Sequence, residues 1–405
     1  MADNARPSPE RVDAELKERL LPLMRQSLRE ASGNLRAPYL VPGSYDQCWD
    51  WDSYFIVVAM APYPETHAHI RGTVESFFAA VNGEGRIPRW FHPTSSFWDS
   101  TCAGADFRQD IAKPFLAQTA LVHCEATGDF AWFRPLLEQQ KCFLDMWTRE
   151  RASELGLFAW ANGLESGGDN HPNVYGWPAF TVEGVDLAVF MIREHLASAR
   201  LALGGGAFSL GQHFLGTARY LAHQLVEHLH DPVANRFANR HRPSGRLIRI
   251  DVQTDFYPMW LGPWLTMGES RACSMLRDGL LDPDRFRSPH GIRSVSALDP
   301  IHNNMEGTGP SNWQGPVWIN ANHIHLQSLL ACGLREEALL LAADVQWLLL
   351  RDLRARGKMS ECYNCETGQP LAMEGFVGWN LLALSMLDEA KAGVGRTVPL
   401  PARLW

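Results

Sequence analysis

The segment Glu165-Ser166-Gly167-Gly168-Asp169-Asn170-His171-Pro172 is the part of the sequence around which the rest is organised. Its two glycines and its proline disfavour a regular helix, so we expect a loop with a defined backbone path. Two carboxylates, an amide and an imidazole in one loop are costly to remove from water unless they meet partners or a ligand. The segment is therefore a candidate site. The alternative is a surface turn in which Asp169 caps the next helix.

Helical spacing of apolar residues recurs on both sides of this loop. The pattern predicts helices over residues 9–32, 54–60, 66–82, 114–127, 130–150, 181–203, 207–229, 255–280 (as two short helices), 316–333, 335–356 and 375–390. A hairpin is expected at 235–252. Paired helices with long loops between the pairs, and little β pattern, predict an all-α fold. We expect a single α/α toroid over residues 1–405, with its loops forming a cleft at one end; the alternative is an irregular all-α bundle.

Composition narrows the class of protein. The 405 residues are 46% hydrophobic and 20% charged, which is typical of a globular protein with a large core. The formal net charge is −8 and there is no basic run, so we expect no nucleic-acid partner. The sequence has no apolar run of transmembrane length and no signal peptide, so we expect a cytoplasmic protein without a membrane partner. It does not indicate an oligomeric state.

Two residue types stand out in number. The eight cysteines are irregularly spaced, and Cys362 and Cys365 form a CxxC without the second pair that a zinc site needs, so we expect no structural metal. The fifteen tryptophans exceed ordinary core needs. Trp offers a flat surface on which the apolar face of a sugar ring can stack, although any single Trp can equally be a packing residue.

Four loop segments combine carboxylates and amides with Trp or Tyr: Tyr45–Ser53, Glu165–Pro172, Asn312–Trp318 and Glu361–Gly368. Carboxylates hydrogen-bond sugar hydroxyls, and aromatic faces cover C–H surfaces. Glycoside cleavage needs one protonated carboxyl and one carboxylate, and Asp169 and Glu361 are candidates for the pair. Asp50 and Asp52 are competing acids, which could instead bind hydroxyls or, for Asp52, cap the following helix.

Five motifs, in the same order, resemble those of glycoside hydrolase family 63, and are similar to family 37 trehalases and to mannosylglycerate and glucosylglycerate hydrolases. They are Trp49-Asp50-Trp51-Asp52-Ser53, Lys113-Pro114-Phe115-Leu116-Ala117-Gln118, Glu165-Ser166-Gly167-Gly168-Asp169-Asn170, Asn312–Trp318, and Glu361-Cys362-Tyr363 with Thr367-Gly368. The resemblance implies an (α/α)6 barrel that hydrolyses α-glycosides with inversion and without a cofactor or metal.

The resemblance also implies residue roles. Asp169 corresponds to the general acid and Glu361 to the general base. We expect Asp169 to occupy the less solvated position, because it must hold its proton near neutral pH. The expected substrate-binding residues are Tyr45, Trp49, Trp51, Asp52, Gln118, Gly167, Trp313, Trp318 and Tyr363. Three residues depart from the family pattern: Gly168 replaces an aromatic residue, Gln314 an arginine and Cys365 a proline. We expect these departures to affect substrate specificity.

The leading hypothesis is an inverting α-glycosidase for a small saccharide, such as an α-linked disaccharide or a glycosyl-glycerate. Trehalase-type specificity is one alternative. A second is a sugar 2-epimerase on the same toroid, with His171, or His323 and His325, as acid and base. A third is a sugar-binding relative without catalysis, which retention of both Asp169 and Glu361 disfavours. The sequence does not identify the sugar, the linkage or the aglycone.

Overall fold

A computed structural model describes residues 6–95, 111–305 and 311–405. Its framework is helical, with α1 (Pro9–Leu23), α2 (Asp50–Met60), α3 (His67–Ala79), α4 (Leu116–Thr127), α5 (Leu137–Arg151), α6 (Gly163–Ser166), α7 (Val185–Gly204), α8 (Phe208–Leu229), α9 (Glu269–Met275), α10 (Ile319–Ala331), α11 (Arg335–Arg356) and α12 (Ala383–Ala392). Two 3-10 segments, Gln253–Trp264 and Gly378–Leu382, take the place of further regular helices. None of the described helices is long and apolar enough to cross a membrane.

The helices form two concentric rings. In the inner ring α2 packs on α4, α4 on α7, α7 on Gln253–Trp264, that segment on α10, α10 on Gly378–Leu382, and Gly378–Leu382 on α2. The ring therefore closes on itself. Outside it, α3 packs on α4, α5 and α8 on α7, and α11 on α10 and α12, while α1 joins α11 and α12. This arrangement confirms the prediction of an all-α toroid of paired helices.

Inner and outer helices differ in the fraction of their circumference that is apolar and buried. Every residue of α2 is buried, and α10 is buried along its length except at Ala331. The outer helix α8 buries one stripe that includes Phe214, Ala218, Leu221 and Leu225. An inner helix is thus enclosed on all sides, and its polar residues must meet partners or line a cavity.

Short strands stabilise the loops around the rings. They are β1 (Leu28–Arg29), β2 (Tyr39–Leu40), β3 (Cys48–Trp49), β4 (Trp90–Phe91), β5 (Ala159–Trp160), β6 (Val182–Glu183), β7 (His230–Asp231), β8 (Arg236–Phe237), β9 (Arg240–His241), β10 (Arg246–Leu247), β11 (Arg287–Ser288), β12 (Gly291–Ile292), β13 (Val317–Trp318), β14 (Cys362–Tyr363) and β15 (Pro370–Ala372). The expected hairpin is confirmed by the antiparallel pair β9–β10. The pairs β3–β4 and β13–β14 each join two loops that are distant in sequence.

Several helix boundaries differ from the prediction. The first helix ends at Leu23 and continues as a 3-10 turn over Met24–Ser27, so it does not reach residue 32. In contrast, α2 begins at Asp50, four residues before the expected start. The carboxylates of Asp50 and Asp52 lie in its first turn, where the positive end of the helix dipole favours them. The central loop also contains one helical turn, α6, which the glycines of the segment did not suggest.

Gly72 provides a test of how closely α3 packs on the chain before β2. A Cβ atom there would overlap the backbone carbonyl of Pro38 and the side chain of Ala37. We expect Gly72→Ala to lower the free energy of unfolding by about 1–3 kcal/mol, because the helix must move away from this backbone. Chemical denaturation followed by circular dichroism measures the change.

The matched control is Gly216→Ala in α8, where a Cβ meets nothing within 4 Å. The added methyl should raise stability by about 0.5–1 kcal/mol, since Ala favours the helix over Gly. Similar gains from both substitutions would contradict the close contact at Gly72.

Candidate active site

A cavity of about 350 Å³ lies where the loops preceding the inner helices meet. We call it the acidic cavity, because the carboxyl groups of Asp52, Asp169 and Glu361 line it. The other residues expected from the sequence that line it are Tyr45, Trp49, Trp51, Gly167, Trp313 and Trp318. All four loop segments of mixed acidic and aromatic composition therefore contribute to one cavity.

Asp50 and Asp52 begin α2 but have different environments. Asp50 is fully buried, and its carboxylate accepts hydrogen bonds from the Lys113 backbone N–H at 2.6 Å and from the Lys113 Nζ at 3.1 Å. Asp52 faces the cavity and accepts a hydrogen bond from the Tyr45 hydroxyl at 3.3 Å. Asp52 does not cap the helix, since α2 has no side-chain N-cap and Trp49 occupies the cap position. Of the two acids, Asp52 is the one available to a ligand.

The loop that carries Asp169 follows the single helical turn α6. Asn162 caps this turn by accepting the Glu165 N–H at 2.9 Å. Glu165 is buried and accepts hydrogen bonds from Arg151 and from the Ala161 N–H, so it holds the loop in place and does not reach the cavity. Gly167 ends the turn with φ 83°, and a Cβ there would meet the Trp51 ring. Only glycine fits this close approach.

The Asp169 loop is attached to residues 311–314. The Asp169 carboxylate accepts the Ser311 hydroxyl at 2.9 Å and the Ser311 N–H at 3.3 Å. The Asn170 side chain accepts the Trp313 N–H at 2.6 Å, and the Gln314 side-chain amide donates to the Asn170 carbonyl at 2.9 Å. Gln314, one of the three departures from the family pattern, thus serves to join the two loops.

Glu361 reaches the cavity from the start of strand β14. Its N–H donates to the Ala372 carbonyl at 3.0 Å, and its own carbonyl accepts the Trp379 indole N–H at 3.2 Å. The pairing of β14 with β13 brings Trp318 opposite Cys362, beside Glu361. The backbone of Glu361 is therefore fixed on both sides, while no hydrogen bond to its carboxylate is formed by the residues that the structure describes.

Burial raises the pKa values of all three carboxyl groups. Burial, together with the nearby carboxylates of Asp52 and Asp169, raises the pKa of Glu361 to about 8. Burial raises the pKa of Asp52 to about 7 against the attraction of Lys113. The pKa of Asp169 is also raised by burial, but hydrogen bonds from Ser311 and the charges of Arg89 and Lys113 oppose the increase. The cavity therefore binds protons at Asp52 and Glu361 near neutral pH.

The expected order of solvation was wrong. The side chain of Glu361 is buried, with an exposed fraction of 8%, whereas Asp169 is partly exposed. The Trp379 indole donates to the Glu361 backbone carbonyl from the 3-10 segment Gly378–Leu382, whereas Asp169 lies on a loop bonded to Ser311. The sequence contains no signal for this difference, because it results from the packing of distant segments.

Aromatic rings form the walls of the cavity. Trp313 and Trp318 stack at 3.9 Å between ring centroids, and Trp51 contacts Trp313 at 5.8 Å. On another wall Trp49 packs against Trp90 at 5.5 Å. The indole N–H groups of Trp49 and Trp313 have no hydrogen-bond partner among the described residues. The walls therefore offer apolar faces together with buried donors, as a sugar ring requires.

Two residues expected to bind substrate lie elsewhere. Gln118 is in the first turn of α4, where its amide donates to the Pro114 carbonyl and its oxygen accepts from Arg193. Tyr363 is the last residue of β14; its side chain is buried, and its hydroxyl donates to the Asp352 carboxylate at 2.9 Å. Neither lines the acidic cavity. Their motifs are near the site in the chain, but the Tyr363 side chain is buried in the framework and the Gln118 side chain lies against Arg193.

Sequence reasoning also missed residues that do line the cavity, namely Gln47, Arg89, Lys113, Leu164, Ser311, Met373 and Trp379. Lys113 belonged to one of the quoted motifs, so that motif could have indicated it. Arg89 lies with its guanidinium 5.1 Å from the Trp49 ring centroid and opposite the Leu164 carbonyl. Met373 and Trp379 lie after the last motif, and the sequence offers no signal for them.

The departures at Gly168 and Cys365 lie outside the cavity lining. Cys365 forms a small cluster with His302 and Glu366, whose ligand atoms all lie within 4.8 Å of one another. The guanidinium of Arg293 already pairs with Glu366 at 2.8 Å, which disfavours a cation at this position. The cluster therefore does not alter the expectation of chemistry without a metal, which stays a prediction.

Comparison with known proteins gives a consistent picture. A family model described as mannosylglycerate hydrolase MGH1-like glycoside hydrolase domain matches residues 45–379. A probable mannosyl-oligosaccharide glucosidase of Schizosaccharomyces pombe is 26% identical in an alignment of 290 positions that covers 64% of this chain and 33% of that protein. The chain thus spans about one third of the length of this curated relative.

Solved structures share the fold. The GH63 mannosylglycerate hydrolase of Thermus thermophilus in complex with glucose superposes with a TM-score of 0.67 at 20% identity, over 92% of this chain and 99% of that one. Neutral trehalase of Saccharomyces cerevisiae gives a TM-score of 0.62 at 15% identity, over 90% and 76%. At these identities the likeness shows the (α/α)6 fold alone.

The ion pair of Asp50 and Lys113 can be tested by stability. Lys113→Met leaves a buried carboxylate without its partner, so we expect it to lower the free energy of unfolding by about 3–5 kcal/mol. Adding Asp50→Asn removes the unpaired charge and should recover part of this loss. Urea denaturation of both variants measures the difference.

Lys141→Met is the matched control, because Lys141 pairs with Asp145 at the exposed surface of α5. We expect a change of no more than about 1 kcal/mol there. If Lys113→Met behaves like Lys141→Met, the buried pair does not stabilise the site.

Proposed function

The chain belongs to the mannosylglycerate hydrolase MGH1-like glycoside hydrolase family, and on that premise we propose that it is an inverting α-glycosidase. Its substrate is a short α-glucoside or α-mannoside, of the size of a disaccharide or a glycosyl-glycerate. Asp169 is the general acid and Glu361 the general base. The observation that carries the proposal is that these two carboxyls, from loops 192 positions apart (361 − 169), line one tryptophan-walled cavity.

The reaction needs one proton donor and one proton acceptor. Asp169 donates its proton to the glycosidic oxygen as the bond from that oxygen to the anomeric carbon breaks. Glu361 removes a proton from a water molecule whose oxygen attacks the anomeric carbon from the opposite face. The sugar is released with a new hydroxyl of inverted configuration, and proton exchange with solvent restores both carboxyls. Inversion requires room for this water beside the base.

Before a substrate binds, the environments of the two carboxyls favour the proton on Glu361 over Asp169, so the proposed roles rest on the shared cavity and not on these pKa values. Ser311 donates two hydrogen bonds to the Asp169 carboxylate, which is the form that exists after Asp169 has given up its proton. The Glu361 carboxylate has no such donors among the described residues, and with a pKa of about 8 it is a strong base that acts once the pH is high enough to ionise it. Because the two groups are close enough to interact, their protons come off in steps that belong to the pair.

The remaining residues of the acidic cavity bind the sugar. Asp52, oriented by the Tyr45 hydroxyl, accepts hydrogen bonds from sugar hydroxyls. Trp49 and Trp313 donate through their free indole N–H groups, and Trp51 offers its face to the ring. A volume of about 350 Å³ suits a short ligand.

The alternatives fit less well. His323 and His325 are fully buried in α10, next to Glu389 and Gln253 respectively, and His171 is buried within the Asp169 loop. None of the three lines the acidic cavity, which disfavours an epimerase. Trehalase-type specificity stays an alternative for the same chemistry. The single-domain organisation of residues 1–405 and the cytoplasmic location stay predictions from the sequence.

The acid and the base can be separated with substrates that differ in leaving group. Asp169→Asn should reduce kcat on an α-linked disaccharide by about 10²–10⁴-fold, because the departing sugar alkoxide needs a proton. The loss should be much smaller on a nitrophenyl α-glycoside, whose leaving group departs unprotonated. Glu361→Gln should lose activity on both substrates, since water activation is needed in each case.

Glu366→Gln is the control, because Glu366 is on the same loop as Glu361, pairs with Arg293 and does not line the cavity. Its kcat should stay near that of the unmodified enzyme. Equal losses of Asp169→Asn on both substrates would exclude Asp169 as the acid. Proton NMR of the first product of an α-linked substrate should show the β-anomer, and release of the α-anomer would exclude inversion.

The acidic limb of the pH profile tests the coupling of Asp52 to Glu361. Glu361 must be ionised to act as a base, so kcat/KM should rise as the pH rises through its pKa. The Asp52 carboxylate raises that pKa. Asp52→Asn therefore lowers it, and the acidic limb should move to lower pH while the absolute activity falls through the lost sugar contact. The pH dependence of kcat/KM of both enzymes gives the comparison, with Glu366→Gln as the control, and an unmoved limb would contradict the coupling.

A further inference from the structure

A second cavity, of about 260 Å³, lies along the later turns of α4 and α7. Residues 394–400 and Trp405 cover it. We call it the Arg193 cavity. Among the described residues, the two cavities share no lining residue. Lys113, which precedes α4, lines the acidic cavity alone. Nothing in the proposed glycosidase chemistry uses this second space.

Of the charged residues that line this cavity, Arg193 is the buried one. Its side chain is 6% exposed, and its guanidinium lies 3.4 Å from the ring centroid of Trp260. It donates to the Gln118 side-chain oxygen at 2.9 Å, to the Thr397 carbonyl at 2.7 Å and to the Tyr54 hydroxyl at 3.1 Å. None of these three partners is a carboxylate.

A buried guanidinium with neutral partners is in an unfavourable position. A buried charge is stabilised by an opposite charge and by full hydrogen bonding, and Arg has five N–H donors, of which three are used here. The next residue, Glu194, directs its carboxyl to the backbone N–H groups of Ala117 and Gln118 at the start of α4. Burial accordingly lowers the pKa of Arg193. Arg193 therefore has neutral hydrogen-bond partners, and the negative charge that acts on it, from Glu194, is bonded elsewhere.

The rest of the lining has a positive and an apolar part. Arg200 and Arg396 also line the cavity, and Glu125 is the one acidic residue of the lining. Glu125 lies 3.5 Å from Arg200, and Arg396 lies 4.0 Å from Glu389. The other wall residues are mostly apolar, including Leu121, Val122, Leu196 and Val398. An anionic group and a hydrocarbon body would each meet a matching surface.

We infer that the Arg193 cavity is a binding site for a small amphipathic carboxylate, with its head group on the guanidinium of Arg193 and its hydrocarbon body between α4 and α7. The planar guanidinium fork is suited to a carboxylate, and a charge-assisted hydrogen bond is stronger than the neutral ones now present. Gln118 is then a positioning residue for Arg193. This also gives a role to a side chain that the sequence motif had suggested for sugar binding.

Isothermal titration with octanoate as the probe tests the inference, with octanamide as the neutral ligand of matched shape. We expect octanoate to bind the full chain at least about tenfold more tightly than octanamide, because only the carboxylate compensates the charge of Arg193. Equal affinity of the two ligands, or no heat of binding with octanoate at millimolar concentration, would overturn the proposal.

Two substitutions locate the site. Arg193→Met should reduce octanoate affinity to that of octanamide. Because this change in the core could prevent folding, Val122→Trp provides an independent test. Val122 is partly exposed at the wall of the cavity, so a larger side chain can occupy the space without overpacking the core. Val122→Trp should abolish octanoate binding at an unchanged melting temperature, and unchanged octanoate affinity in this variant would exclude the Arg193 cavity as the site.

Discussion

The position of the acidic cavity depends on the buried ion pair between Asp50 and Lys113. The pair joins the first turn of α2 to the chain before α4, through both the side chain and the backbone N–H of Lys113. The Lys113 ammonium also lies 5.2 Å from the Trp51 ring centroid, and Gly167 packs against both residues so closely that a Cβ would overlap them. Three separate loops thus meet at one charge pair. Since a buried pair that loses one partner leaves an uncompensated charge, these loops are held in a single arrangement.

A second constraint acts on the acid side of the cavity. Asp169 and Asn170 are both bonded to residues 311–313, so the acid loop and the loop before α10 form one unit. Gln314 extends this unit to the Asn170 carbonyl. An arginine at position 314 could not accept the hydrogen bond that Asn303 donates to the Gln314 side chain at 3.0 Å. The departure from the family pattern therefore has a local structural explanation, and it does not alter a residue of the cavity lining.

The sequence predicted the backbone of this site better than its side chains. Composition and order of the four loops indicated which segments meet, because each lies before an inner helix. On a helix, side chains at positions i and i+2 point in directions about 200° apart, so Asp50 and Asp52 had to face different environments. The sequence pattern could not decide which of the two faces the ligand. The same limit applies to Gln118 and Tyr363. Their motifs lie near the site in the sequence, but the Gln118 side chain bonds to Arg193 and the Tyr363 side chain to Asp352. Trp379 belongs to a 3-10 segment, and the spacing of apolar residues in the sequence does not predict its geometry.

The aromatic lining has two effects that are physically inseparable. Trp rings provide the surface for a sugar ring, and they also exclude water from the carboxyl groups among them. Exclusion of water raises the pKa values of Asp52, Asp169 and Glu361, to about 7 for Asp52 and about 8 for Glu361, so these last two retain protons near neutral pH. The charge of Lys113, which pairs with Asp50, opposes this increase at Asp52 and Asp169 but does not cancel it. The hydrogen bonds of Ser311 distinguish Asp169 from Glu361, because they favour the ionised form of Asp169 alone. One serine on a neighbouring loop thus gives the two proposed catalytic carboxyls of a cavity lined by Trp rings different affinities for a proton.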